Sequence, residues 1–167
     1  MTDVLKTDSE LMQLALEQAA IAASKGEVPV GAVIVSQNKI IGSGFNAPIT
    51  LNDPTAHAEV QALRDACQNI QNYRLPDDSV MYVTLEPCTM CVGALVHARV
   101  SKVVFGATEP KAGSLISARK LFETAIIIIS SWLSQVVYMS NAHSSSVTFL
   151  KCAANKSDYP VYKKRDE

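Results

Sequence analysis

Two short segments carry residues whose types and spacing can do chemistry together: Pro54-Thr55-Ala56-His57-Ala58-Glu59 and Leu85-Glu86-Pro87-Cys88-Thr89-Met90-Cys91. His57, Cys88 and Cys91 offer one imidazole and two thiolates, a borderline-to-soft donor set that suits zinc. Three protein ligands leave the fourth tetrahedral position to water, as in catalytic rather than structural zinc sites. A neutral His57 and two thiolates balance the 2+ charge, so the metal is a mild Lewis acid and its water needs a base nearby. Glu59, close in sequence to His57, fits that part. Pro87 suits the first turn of a helix, where its missing N–H costs nothing. Cys88 and Cys91 then share one helical face, near a helix N-terminus that favours thiolate over thiol.

The elements that must position these groups follow from periodicity. Leu11, Leu14, Ala15, Gln18, Ala19 and Ala22 recur at helical spacing, so Asp8–Lys25 reads as a helix, capped by Asp8 or Ser9 and ended by Gly26. Val30–Val35 and Ile40–Phe45 read as a hairpin around the polar turn Gln37-Asn38-Lys39. Asn46–Pro54 is loop, and Thr55–Cys67 is a helix. Val80–Leu85 and Lys102–Gly106 are strands, Cys88–His97 and Ser114–Phe122 helices. This alternation predicts a three-layer α/β/α fold, a mixed sheet between helices.

Composition narrows the class. The 167 residues fit one domain, and 48% hydrophobic content supports a substantial core. Lys+Arg number 15 against Asp+Glu 16, so any nucleic-acid affinity must come from a local patch. The polar, acidic start of the chain reads as neither a secretory nor a transit peptide, and no apolar run, Ala125–Ile129 included, approaches the ~20 residues of a membrane span. A cytoplasmic location follows, where thiols stay reduced, so Cys88 and Cys91 read as metal or redox groups. A lone C-x-x-C also fits a redox motif or half of a structural zinc site, with Cys67 or Cys152 as further ligands. Met90 and Leu95 are expected in the core, and His97 in packing or hydrogen bonding. Arg74 and Lys111 read either as phosphate contacts or as solvated charges.

The combination H-x-E, then P-C-x-x-C after a strand, is more specific than either half: it is the zinc-deaminase signature. With Glu27-Val28-Pro29-Val30-Gly31-Ala32-Val33, Gly44-Phe45-Asn46, Gln71-Asn72-Tyr73-Arg74-Leu75, Tyr82-Val83-Thr84-Leu85-Glu86-Pro87-Cys88 and Val103-Val104-Phe105-Gly106-Ala107, the chain resembles the bacterial tRNA-specific adenosine deaminases of the cytidine deaminase superfamily. The resemblance runs from about Asp8 to Glu123. It implies a cytidine-deaminase-like fold with a mixed five-stranded sheet, a homodimer, and one zinc per chain held by His57, Cys88 and Cys91. It makes Glu59 the catalytic proton shuttle and places Asn46, Pro29, Val30, Ala58 and Pro87 at the substrate. The implied partner is a tRNA anticodon stem-loop, and the reaction converts the wobble adenosine of an arginine tRNA to inosine. A zinc-activated water attacks C6 of adenine while Glu59 protonates N1 and then serves the leaving ammonia. Splaying the base out of a single-stranded loop is inexpensive. Two other readings keep the zinc. One is a deaminase of free cytosine, cytidine or guanine, and the other a non-catalytic zinc-binding, RNA-associated module. The strings around Asn46 and Asn72 argue against the first, and Glu59 against the second.

Residues 1–123 therefore read as the deaminase domain. Residues 124–167 depart from the family, which is expected to continue with a tyrosine-rich turn, a last strand and a basic, aromatic helix. Either a genuinely divergent C-terminus or a one-nucleotide deletion near the Glu123 codon accounts for this, and the shifted reading favours the deletion. Thr124–Ile129 written ACG GCT ATT ATA ATC ATT and read from the third base becomes GGC TAT TAT AAT CAT, or Gly-Tyr-Tyr-Asn-His. Trp132–Ala142 and Thr148–Asn155 shift likewise to a strand, a glycine turn and a basic helix end. Residues 124–167 are then expected to replace the last strand and C-terminal helix, to pack loosely through Ile126–Ile129, and to weaken tRNA binding.

Overall fold

The computed structural model describes residues 6–121 and the strand Gln135–Tyr138. Its elements, in order, are α1 (Asp8–Ser24), β1 (Gly31–Ser36), β2 (Lys39–Phe45), α2 (Pro48–Leu51), α3 (Ala58–Ile70), β3 (Val80–Val83), α4 (Thr89–Ala98), β4 (Lys102–Phe105) and β5 (Gln135–Tyr138). The five strands form one sheet in the order β2-β1-β3-β4-β5. β1 pairs antiparallel with β2 and β3, while β3–β4 and β4–β5 are parallel. The parallel β3–β4 step requires a crossover, and α4 is that crossover.

Side-chain alternation builds the three layers. Ala32 and Ile34 of β1, Met81 and Val83 of β3, and Val103 and Phe105 of β4 face α3 and α4, where they pack with Ala62, Leu63, Ala66, Val92 and Leu95. The intervening Val33, Val35, Tyr82 and Val104 face Leu11, Met12 and Ala15 of α1. Gly31 and Gly44 lie where a Cβ would collide with the backbones of α1 and α3. Gly44 thereby draws the first turn of α3, at Ala58, tight against β2.

Several boundaries differ from the sequence reading for visible reasons. Thr7, not Asp8 or Ser9, caps α1, in a capping box with Glu10. Asp8 instead accepts the Tyr82 hydroxyl at 2.6 Å and pairs with Lys102 at 3.6 Å, tying α1 to the sheet. The hairpin turns through Gln37 and Asn38, both with positive φ, the geometry of a type I′ turn. Within the expected loop, Pro48 starts the short α2. Pro87 lies before Cys88, the N-cap of α4, and so precedes the first turn. The helix expected at Ser114–Phe122 is a set of turns over Ser114–Ser117. There Gly113 accepts from Ala118 and Arg119, Ser114 accepts from Leu121, and Lys120 is left-handed; none of this is helical hydrogen bonding.

The outer strand β2 is flanked by α3. Asp65 accepts from the Ser43 N–H at 2.8 Å, and Asn69 donates to the Ile41 carbonyl at 3.0 Å. The segment expected to replace the last strand supplies one itself: β5 pairs Val136 and Val137 with Val103 and Val104. Ile126–Ile129 and the rest of that segment lie outside the described residues. No helix among the described residues is long and apolar enough to cross a membrane.

Candidate metal centre and active site

The donor atoms meet at two helix starts on the same side of the sheet. His57 is the N-cap of α3, and Cys88 the N-cap of α4, with Cys91 in its first turn. Neither N-cap residue makes a side-chain cap hydrogen bond, and both helix starts bring their positive dipole ends to the cluster. Sγ of Cys88 lies 3.7 Å from His57 Nδ1 and 3.6 Å from Sγ of Cys91, and Sγ of Cys91 lies 3.6 Å from Nδ1. A tetrahedral zinc, with bonds of ~2.3 Å to sulfur and ~2.0 Å to nitrogen, separates such donors by about 3.5–3.8 Å. The three residues therefore fit a zinc ion, and among the described residues they are the His/Cys/Asp/Glu cluster with metal-binding geometry. Cys67 is elsewhere, its thiol directed to the Tyr73 carbonyl. Cys152 lies outside the described residues.

The two sulfurs, 3.6 Å apart, act on each other. Contact with Cys91 is the largest influence holding the Cys88 thiol down to about 3, with His57 helping against the cost of burial. Contact with Cys88 and burial push Cys91 upward. Zinc binding would require both sulfurs as thiolates.

Beside the cluster lies a cavity of about 100 Å³ whose walls include His57, Glu59, Cys88, Asn46, Val30 and Glu86. Glu59 is 4% exposed, and burial pushes its carboxyl above the usual range, against the pull of its own backbone N–H and of His57. Its neighbour Cys91 is within side-chain hydrogen-bonding reach. Asn46 is 9% exposed and fixed by its N–H to the Val30 carbonyl at 3.0 Å. The structure thus brings His57, Glu59, Cys88, Asn46 and Val30 together on the cavity. Pro29, Ala58 and Pro87 are buried but absent from its described walls; Ala58 belongs to the core beneath α3. Met90, expected in the core, is exposed, whereas Leu95 is fully buried. His97 is exposed in the last turn of α4, not packed. Arg74 is exposed and lies 5.0 Å over the Tyr73 ring.

The sequence reading gave no role to Glu86 or Glu109, both buried and both on the cavity wall. The available signal was a carboxylate inside the apolar run Val80–Pro87. Glu86 is 3% exposed and receives the N–H groups of Leu115, Ile116 and Ser117 at 3.1, 2.8 and 2.9 Å and that of Glu109 at 3.1 Å, together with the Ser117 hydroxyl. Burial opposes its charge, yet these donors outweigh burial and hold the carboxyl below its ordinary range.

Fold and cluster together define a zinc-site hydrolase of the deaminase type. Residues 5–107 match the cytidine and deoxycytidylate deaminase zinc-binding region, and the chain belongs to that family. Within it, the N-terminal part is homologous to tRNA-specific adenosine deaminases. The protein so described from Haemophilus influenzae is 52% identical over 117 residues, which span 70% of this chain and 67% of the relative. The one from Buchnera aphidicola (Schizaphis graminum) is 54% identical over 60% of this chain and 66% of the relative. The chain thus spans about two thirds of the length of these relatives. A structure from a study of A-to-I editing by tRNA:A34 deaminases superposes with a TM-score of 0.72 at 38% identity, covering 78% of this chain and 98% of the other. Guanine deaminase from Bacillus subtilis superposes at 0.61 with 32% identity, covering 92% and 99%.

Proposed function

We propose that this chain, carrying one zinc ion, hydrolytically deaminates the wobble adenosine of an arginine tRNA to inosine. The observation that carries the reading is the meeting of His57, Cys88 and Cys91 at zinc spacing beside the buried Glu59. Zinc bound there supplies a Lewis acid that makes water nucleophilic near neutral pH. In this reading the buried Glu59 takes the proton that the water gives up, passes it to N1 of the base, and then carries the remaining water proton to the amino group, which leaves as ammonia. Asn46 presents a side-chain amide to the base edge. The centre lies inside a small cavity, so a polymeric substrate must offer a base turned out of its stack, which an anticodon loop does readily. Lys111, exposed on the segment that carries Glu109 and Ala112 to the cavity, is open to either a phosphate contact or a solvated charge.

The adenosine assignment is supported by the 52% and 54% identity to relatives described as tRNA-specific adenosine deaminases, against 32% for the guanine deaminase. The deciding experiment measures inosine formed in an arginine anticodon stem-loop, beside ammonia release from free guanine, cytosine, cytidine and adenosine, with zinc content on the same sample. Inosine in the stem-loop alone is expected; turnover of a free base alone overturns the assignment. A homodimer in the cytoplasm belongs to the same reading, and light scattering tests the dimer.

Residues 124–167 belong to this proposal as the product of a one-nucleotide shift near the Glu123 codon. The Haemophilus match supports this by leaving about a third of both chains outside it. Resequencing decides the origin, and a restored frame is expected to bind the stem-loop more tightly. An intact frame with full affinity sinks the idea.

A further inference from the structure

Residues 109–117 form a wall of the cavity without belonging to a helix or strand. Glu109 and Ala112 reach the cavity, and the segment is docked by the bridge between Cys88 and Gly113, by Ser114 N–H to the Pro87 carbonyl at 2.9 Å, and by Thr89 Oγ1 to Ser114 Oγ at 2.7 Å. Five further hydrogen bonds from its two ends converge on one side chain. Glu86 Oε1 accepts from Leu115, Ile116 and Ser117, and Oε2 accepts from Glu109 and the Ser117 hydroxyl. An ionised carboxylate has about four lone-pair sites. These five donors fill them. Although Glu86 borders the cavity, it has no acceptor left for a substrate, and it is not one of the clustered metal donors. Its chemistry is spent entirely on shaping the wall.

We infer that Glu86 is a positioning residue, which clamps residues 109–117 into the wall that holds the substrate nucleotide and so governs substrate affinity rather than the chemical step. The inference rests on the functional reading above for its substrate. Gly113 adds a steric condition: a Cβ there would collide with Oε2 of Glu86 and the Glu109 carbonyl, so the clamp closes only over glycine.

The test uses the zinc-loaded full chain and its E86Q variant, in which an amide N–H₂ replaces one acceptor and faces donors. Zinc content is expected to stay at the wild-type value. Amide exchange at Glu109, Leu115, Ile116 and Ser117 should rise roughly tenfold or more, since hydrogen bonds to a charged acceptor are the strong ones. KM for the anticodon stem-loop should rise by about tenfold with kcat changed by less than about threefold. S117A, which removes one donor, and G113A, which crowds the clamp, should move the same amides and KM in the same direction, and they keep the test valid if E86Q does not fold. Unchanged exchange at these amides, loss of zinc, or a loss confined to kcat overturns the inference. A wild-type chain inactive on the stem-loop sinks the functional reading instead, and amide exchange with stem-loop binding by anisotropy still decides the role of Glu86.

Discussion

The candidate site is held on two sides by different means. His57, Cys88 and Cys91 ride on the first turns of α3 and α4, which rest on the sheet through many buried side chains, among them Ala62, Leu63, Val92 and Leu95. The adjoining wall, residues 109–117, has no regular ladder and, beyond its contacts with Pro87, Cys88 and Thr89, gathers five hydrogen bonds on the single carboxylate of Glu86. Apolar packing spreads its contribution over many residues, so no one contact governs how the metal side is held. A polar hub concentrates it, so one atom changed at Glu86 is felt along the whole wall. Chemistry is fixed on the rigid side and recognition on the side that one residue controls.

The largest expected effect breaks the metal side. Cys88→Ala or Cys91→Ala should lose the zinc, abolish deamination and lower Tm, because metal binding is coupled to folding; metal analysis and calorimetry check this, and retained zinc would remove the ligand assignment. Next, Glu59→Ala should lower kcat by ~10²–10⁴-fold, the usual worth of a general acid–base group. It should keep about one zinc per chain and leave Tm equal or higher, since a buried carboxyl is costly. An emptied site would make Glu59 a ligand instead of a proton carrier. Third, Asn46→Ala should reduce kcat/KM by roughly 5–100-fold, the loss of one buried hydrogen bond to substrate, with zinc content unchanged.

The smallest effect serves as a control away from both sides. Asp78 accepts from Ser36 Oγ at 2.6 Å and Gln37 N–H at 2.8 Å, and the Ser36 bond chiefly holds its carboxyl below the usual range. A carboxyl with a depressed folded-state pKa adds stability above its unfolded value, and that stability fades as pH falls through the folded value. Asp78→Asn should therefore lower Tm by at most about 2–4 °C at neutral pH, with the difference vanishing in acid, while zinc content and KM stay at wild-type values. A shift in KM would mean that the hairpin end communicates with the site.

The metal side was legible in the sequence because its signals are local. A candidate ligand and a carboxylate fall within three residues at His57–Glu59, two thiols share a turn at Cys88–Cys91, and valine-rich apolar runs announce β1, β3 and β4. The wall was not legible, because it depends on contacts between positions 23 to 31 apart along the chain, from Glu86 to Glu109 and Ser117. Ser114–Phe122 has helical composition, but the carboxylate captures its N–H groups and Lys120 turns left-handed, so tertiary context overrides propensity. β5 was missed for the converse reason. Val136 and Val137 form too short a run to register alone and become a strand through β4.

The rim of the sheet at β2 carries a consequence for how these molecules meet. Because Asp65 and Asn69 already occupy the outward Ser43 N–H and Ile41 carbonyl, a strand from a second molecule arriving there finds its hydrogen-bonding partners taken and two polar side chains in its path. At this point of the rim, an intermolecular ladder of the kind that seeds fibrils would first have to displace both of these contacts.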